Sequence, residues 1–168
     1  MDVLGVAPGR GVWVAPGELR EALSPKGLDR AFRGKARKPA PERVEAMVAD
    51  AAERMEERLL GLLGLARRAG ALTFGMDAVL DRIASTGGQG LVVLTACDLS
   101  DRSAQKVDEA IERMGTARRL RGPSIDRIGK AIGRDTVGIV AIDHRSLGPA
   151  VTAEANRIAA LRGERGEE

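Results

Sequence analysis

A chain of 168 residues, 43% of them apolar, has room for one domain with a smaller companion and enough Ala, Leu, Val and Ile for a proper core. It holds one cysteine, Cys97, no tyrosine, and only Trp13, Phe32 and Phe74 as aromatics, which excludes an internal disulfide, a cysteine-cluster metal site and an aromatic sheet for stacking RNA bases. The net charge is +3, unevenly placed: residues 1–40 carry eight Lys or Arg against four Asp or Glu, and the rest carry nineteen against twenty.

Residues 1–40 are rich in Gly, Pro and cations. Gly11–Val14 reads as a short strand. Pro16-Gly17 opens a short helix near Glu18–Leu23, and Ser24-Pro25 starts another over Lys26–Phe32. The basic stretch Arg33–Lys38 follows. This piece is too small to bury much by itself. Pro39 and Pro41 mark a boundary, and Pro41 suits the first position of a helix. Apolar residues then recur at three- and four-residue spacing from Val44 to Ala66, a helical stripe running to Gly70. Gly61 and Gly64 are expected to break it into a linker helix, 41–57, and a domain helix.

Beyond Gly70 helix and strand patterns alternate. Ala71–Phe74 reads as a strand and Asp77–Ala84 as a helix. Thr86–Gly90 is a loop, and Leu91–Ala96 a continuous apolar strand buried on both faces. Ser100–Met114 is a helix, with Asp98 expected to cap it. Thr116–Leu120 is extended, a short helix follows Pro123, Val137–Ile142 is a second buried strand, and Leu147–Leu161 is the last helix. Residues 163–168 read as a frayed tail. The alternation predicts an α/β fold, a three-layer α-β-α sandwich over 58–162, preceded by the small basic segment and the linker helix.

Enzyme chemistry is not indicated. His144 is the sole histidine and reads as a surface loop residue. Cys97 follows a buried strand, has no base close in sequence, and reads as a small core-edge thiol. The Thr86–Gly90 loop precedes a strand, whereas a dinucleotide loop follows one and opens a helix; Gly129-Lys130 lacks the upstream glycine and the Ser or Thr of a phosphate loop. No cofactor or metal is expected. No signal-peptide pattern and no apolar run long enough to cross a membrane occurs, so a cytoplasmic protein is expected.

Anion-binding signals are stronger. Arg outnumbers Lys twenty-two to five, and Arg forks suit phosphate. Arg118, Arg119 and Arg121 flank Gly122-Pro123, ahead of a helix whose first N–H groups are expected to be free. Lys130 and Arg134 lie further along it. Gly75 opens the helix after the first strand. Together these predict one anion-binding edge.

Three segments carry a family resemblance: Leu62-Leu63-Gly64-Leu65-Ala66-Arg67-Arg68-Ala69-Gly70 with Gly75, then Leu91–Asp98, then Ile128-Gly129-Lys130-Ala131-Ile132-Gly133. In order and spacing, the stretch from about Arg58 to Leu161 resembles the kink-turn-binding ribosomal-protein superfamily (archaeal L-seven-Ae type), closest to its bacterial YlxQ-like branch. Pro8-Gly9-Arg10-Gly11-Val12-Trp13-Val14 and Lys26–Phe32 are similar to the Gly-Arg-Gly motif and basic helix of the YlxR family. That family's Cys-x-x-Cys segment ahead of the motif is missing, so an incomplete first domain, or a start downstream of the true one, is expected. Where kink-turn binders carry Asn, Glu and Lys, this chain has Asp77, Ala78 and Asp81. Two carboxylates near phosphate weaken family-type kink-turn recognition. The family loop that touches the bulged nucleotide corresponds to Leu120–Pro123.

The resemblance implies a non-enzymatic RNA-binding protein, tied to transcription termination, the ribosome or translation. Its contacts are expected at Arg10, Gly11, Arg30, Arg33, Lys35, Arg37 and Lys38 in the basic segment. In the sandwich they are expected at Gly75, Met76, Asp77, Arg119, Arg121, Gly122, Lys130 and Arg134. The expected partner is structured RNA, ribosomal or other non-coding, with ribosomal or transcription-complex proteins as further candidates; oligomeric state is left open. The alternative is a protein-interaction module of the same fold that has lost kink-turn binding.

Overall fold

The computed structural model describes residues 13–35, 37–115 and 117–164. They divide into two units, one built from residues up to Glu57 together with those from Asn156, the other from Arg58–Ala155. The Gly11–Val14 expectation falls partly outside the described residues; Trp13 and Val14 themselves are in no strand.

In the first unit a short 3-10 turn, Pro16–Glu18, leads into α1 (Leu19–Ala22) and α2 (Pro25–Phe32). Ser24 Oγ accepts the Gly27 N–H at 3.1 Å and caps α2. Helix α3 (Pro41–Arg68) begins in this unit, and α7 (Leu147–Arg162) ends in it. Leu19, Val48, Ala51, Ala52 and Leu161 form the core here. Arg20 ties α1 down by donating to the Leu161 carbonyl at 2.8 Å while pairing with Glu45.

Helix α3 does not break at Gly61 or Gly64. A glycine inside a helix costs about 1 kcal/mol relative to alanine. Burial of Leu59, Leu63 and Ala66 on the same helix outweighs that. Gly64 also serves packing, since a Cβ there would lie 3.2 Å from the Ala131 carbonyl oxygen.

The second unit is a four-stranded sheet. β1 (Leu72–Phe74), β2 (Val92–Ala96), β3 (Arg118–Gly122) and β4 (Ile139–Ile142) lie in the order β1-β4-β2-β3. β2 pairs parallel with β3, and β4 runs antiparallel to both β1 and β2. All of β2 and β4 is buried, as their unbroken apolar runs predict. On one face Val93, Ile139 and Ala141 pack against Val79 and Ile83 of α4 (Met76–Thr86) and Val107 and Ala110 of α5 (Asp101–Met114). On the other, Val92, Leu94, Val140 and Ile142 are equally buried. Helices α3, α6 (Ile125–Ala131) and α7 also lie around the sheet, and a Cβ on Gly148 of α7 would lie 3.4 Å from the Val92 side chain on that face. The result is the α/β sandwich that the alternating pattern predicts.

Candidate anion-binding cleft

β1, β2 and β3 run the same way, so their carboxyl ends gather at one end of the sheet with the start of β4. Loops at that end are the usual place for a ligand in such a sheet. An open cleft of about 500 Å³ lies there. Phe74, Gly75 and Met76 come from the β1–α4 junction, Leu99 and Ser103 from the start of α5, and Arg134 and Thr136 from the α6–β4 turn.

Local sequence explains how Arg134 arrives. Gly133 has φ +66°, which turns the chain back at the end of α6, and the Arg134 N–H returns to the Gly129 carbonyl at 2.9 Å. The Arg134 guanidinium then lies 5.1 Å from the centre of the Phe74 ring. Arg67, at the end of α3, stands over the same ring at 5.6 Å. Its Nη1 is buried and makes no hydrogen bond among the described residues, so the ring face is its electrostatic partner. Next in the chain after Phe74, Gly75 has φ +91° and precedes α4, which has no side-chain cap.

Of the residues expected from sequence, the cleft gathers Gly75, Met76 and Arg134. Asp77 is exposed in the first turn of α4. Lys130 is exposed on α6 and does not line the cleft. Two of the three β3 arginines have other attachments. Arg119 pairs with Asp108 at 3.0 Å, and Arg121 donates to the Cys97 carbonyl at 3.2 Å. Gly122 is a packing position: it is buried, and a Cβ there would lie 2.8 Å from the Leu94 side chain. Of the stretch Leu120–Pro123, residues 120–122 end β3 and only Pro123 lies beyond the strand.

The first N–H groups of α6 are not all free. Asp98, expected to cap α5, instead accepts the Ile125 N–H at 2.8 Å, while Ser100 caps α5 by accepting from Ser103. A carboxylate already occupies the α6 start, which disfavours a phosphate there. Asp98→Ala is expected to cost about 1 kcal/mol, read as a lowered urea midpoint.

Cys97 is exposed rather than a core-edge thiol, because β2 ends one residue before it. His144 lies in the turn that leads into α7: its Nδ1 accepts the N–H groups of Ser146 and Leu147, both at 3.2 Å. Among the described residues no three His, Cys, Asp or Glu side chains are grouped to hold a metal ion. No helix there is long and apolar enough to cross a membrane.

In the first unit Arg30, Arg33, Lys35, Arg37 and Lys38 are all exposed. Arg33 closes α2 at φ 53°, and Lys38 pairs with Asp29 at 2.8 Å. Arg10 and Gly11 lie outside the described residues.

Sequence reasoning passed over Arg67, Phe74, Ser103 and Thr136 as site residues. Two signals were available. Phe74 is the one aromatic after Phe32, and Arg67 stands immediately before the turn that delivers β1.

No protein-family model matches the chain, and no curated protein matches it. Among solved structures, it is similar to a protein of unknown function from Bacillus halodurans C, with a TM-score of 0.52 and 20% identity, over 58% of this chain and 96% of that one. It is also similar to the Giardia lamblia 15.5kD RNA binding protein, with a TM-score of 0.49 and 21% identity, over 64% of this chain and 90% of that one. The first likeness is one of fold, and at this identity it carries no activity across.

Proposed function

We propose that the chain binds structured RNA, reading phosphate and shape rather than base sequence, without catalysing a reaction. The observation that carries this is the cleft in which Arg134, the Phe74 ring and the uncapped start of α4 meet at the carboxyl ends of the strands. A guanidinium and a helix N-terminus both attract phosphate oxygens. The resemblance of the three segments 62–70, 91–98 and 128–133 to the kink-turn-binding superfamily supports the same reading, and a role in transcription termination or translation rests on that resemblance alone. The exposed cations Arg30, Arg33 and Lys35 would add sequence-independent attraction.

Filter binding of a structured RNA hairpin at low and at high salt tests it. Binding is expected to be micromolar or tighter and to weaken steeply with salt. Arg134→Glu is expected to lower affinity by roughly tenfold or more, while Arg119→Glu does so far less, because Asp108 already engages that side chain. Absence of binding at low salt would sink the proposal.

One observation favours a second reading. Asp77 and Asp81 are exposed one turn apart on α4, the helix whose first residue, Met76, lines the cleft. A face of that sign suits a protein partner better than phosphate. Under that reading a bound protein survives nuclease treatment and the hairpin does not bind.

A further inference from the structure

The unit formed by the chain ends holds a second concavity, an open groove of about 510 Å³. Leu23, Leu28 and Met47 supply its apolar floor, and Arg37, Lys38 and Arg43 stand along it with no acidic residue among its lining. Lys38 is tethered to Asp29, which anchors the segment leading to Pro39. Arg37 and Arg43 are exposed, and among the described residues neither is paired with a carboxylate. Two uncompensated cations therefore border a floor that water solvates poorly.

Nucleic acid matches this groove badly. Phosphate contacts need no apolar floor, and base stacking needs an aromatic side chain, of which the lining has none. A chain segment that carries a leucine-sized side chain between carboxylates matches both features: the apolar group covers the floor and the carboxylates neutralise the rim. We propose that this groove docks an acidic peptide segment of a partner protein, seating one apolar side chain on Leu23, Leu28 and Met47 and pairing its flanking carboxylates with Arg37 and Arg43. This goes beyond RNA binding by the central sheet and stands apart from it. The protein then joins an RNA to a protein.

The test is selection of random phage-displayed short peptides on the full chain, followed by fluorescence-polarisation titration of the winning synthetic peptide. Enrichment of peptides with Asp or Glu on either side of Leu, Ile, Phe or Met is expected. Combined Arg37→Glu and Arg43→Glu should weaken the winner roughly tenfold or more, and Arg43→Gln alone, at a position outside the expected RNA contacts, should weaken it while leaving hairpin RNA affinity within about twofold of the parent. Met47→Gln should weaken the peptide as well. Should the double reversal disturb the far-UV circular dichroism, Arg43→Gln alone serves, since it is a neutral change at an exposed position. The proposal is overturned by no enrichment, by winners lacking acidic residues, or by undiminished binding to the folded variants. Loss of hairpin binding in the Arg37/Arg43 variant with peptide binding intact overturns it too, and assigns the groove to RNA.

Discussion

Gly129→Ala is expected to lower the stability of the central sheet unit by about 3 kcal/mol and, under the proposed function, to weaken hairpin RNA affinity with it. Gly129 is buried in α6, and a Cβ there would lie 2.7 Å from the Asp135 carbonyl oxygen, 2.9 Å from its carbon and 3.0 Å from the Arg134 oxygen. These are backbone atoms, so no side-chain rotation relieves the clash. The turn after Gly133 must move, and with it the hydrogen bond from the Arg134 N–H to the Gly129 carbonyl. Arg134 then leaves the Phe74 ring. Helix propensity alone would favour alanine by about 1 kcal/mol, so the measured sign decides between the two effects. Urea unfolding followed by far-UV circular dichroism is the measurement, because the only tryptophan, Trp13, lies in the other unit. Gly61→Ala is the matched control. It lies in α3 with nothing within 4 Å of the new methyl group and should be neutral or stabilising by about 0.5–1 kcal/mol. An equal effect of the two substitutions would refute the close-approach argument.

The second large effect is a compensation. Leu94 is fully buried in β2, opposite Val140 of β4, and its side chain occupies the space a Cβ on Gly122 would need. Leu94→Ala should cost about 3–4 kcal/mol, the transfer term plus a cavity. Gly122→Ala should cost about 1–3 kcal/mol by overpacking. In the double variant the new methyl group enters the vacated space. The combined loss should then fall short of the sum by about 1–2 kcal/mol. Strict additivity in the cycle would show that Leu94 does not hold the 122 position at glycine.

Much of the sandwich was legible in the chain. The strands at 92–96 and 139–142 are continuous apolar runs, and Pro41, Gly75 and Gly133 stand at helix limits where their backbone preferences put them. Two local readings went astray for a tertiary reason. Gly61 and Gly64 looked like a helix break, but the side chains around them are buried and the helix continues. Asp98 looked like the cap of the helix nearest in sequence, yet it serves α6, which β3 brings alongside.

Sequence by itself determined the kind and order of the elements, the basic character of the first segment, and the presence of a glycine-marked Arg134. Each of those follows from local periodicity, backbone preference or composition. Only tertiary structure decided which cations remain available. Arg119 and Arg121 share a strand with the right composition, but α5 sets Asp108 against one, and the β2–α5 loop gives its Cys97 carbonyl to the other. Arg134, distant in sequence from Phe74 and Gly75, meets them because β1 and β4 are antiparallel neighbours and a left-handed glycine reverses the chain between α6 and β4. Such proximity depends on strand order, which local pattern does not encode.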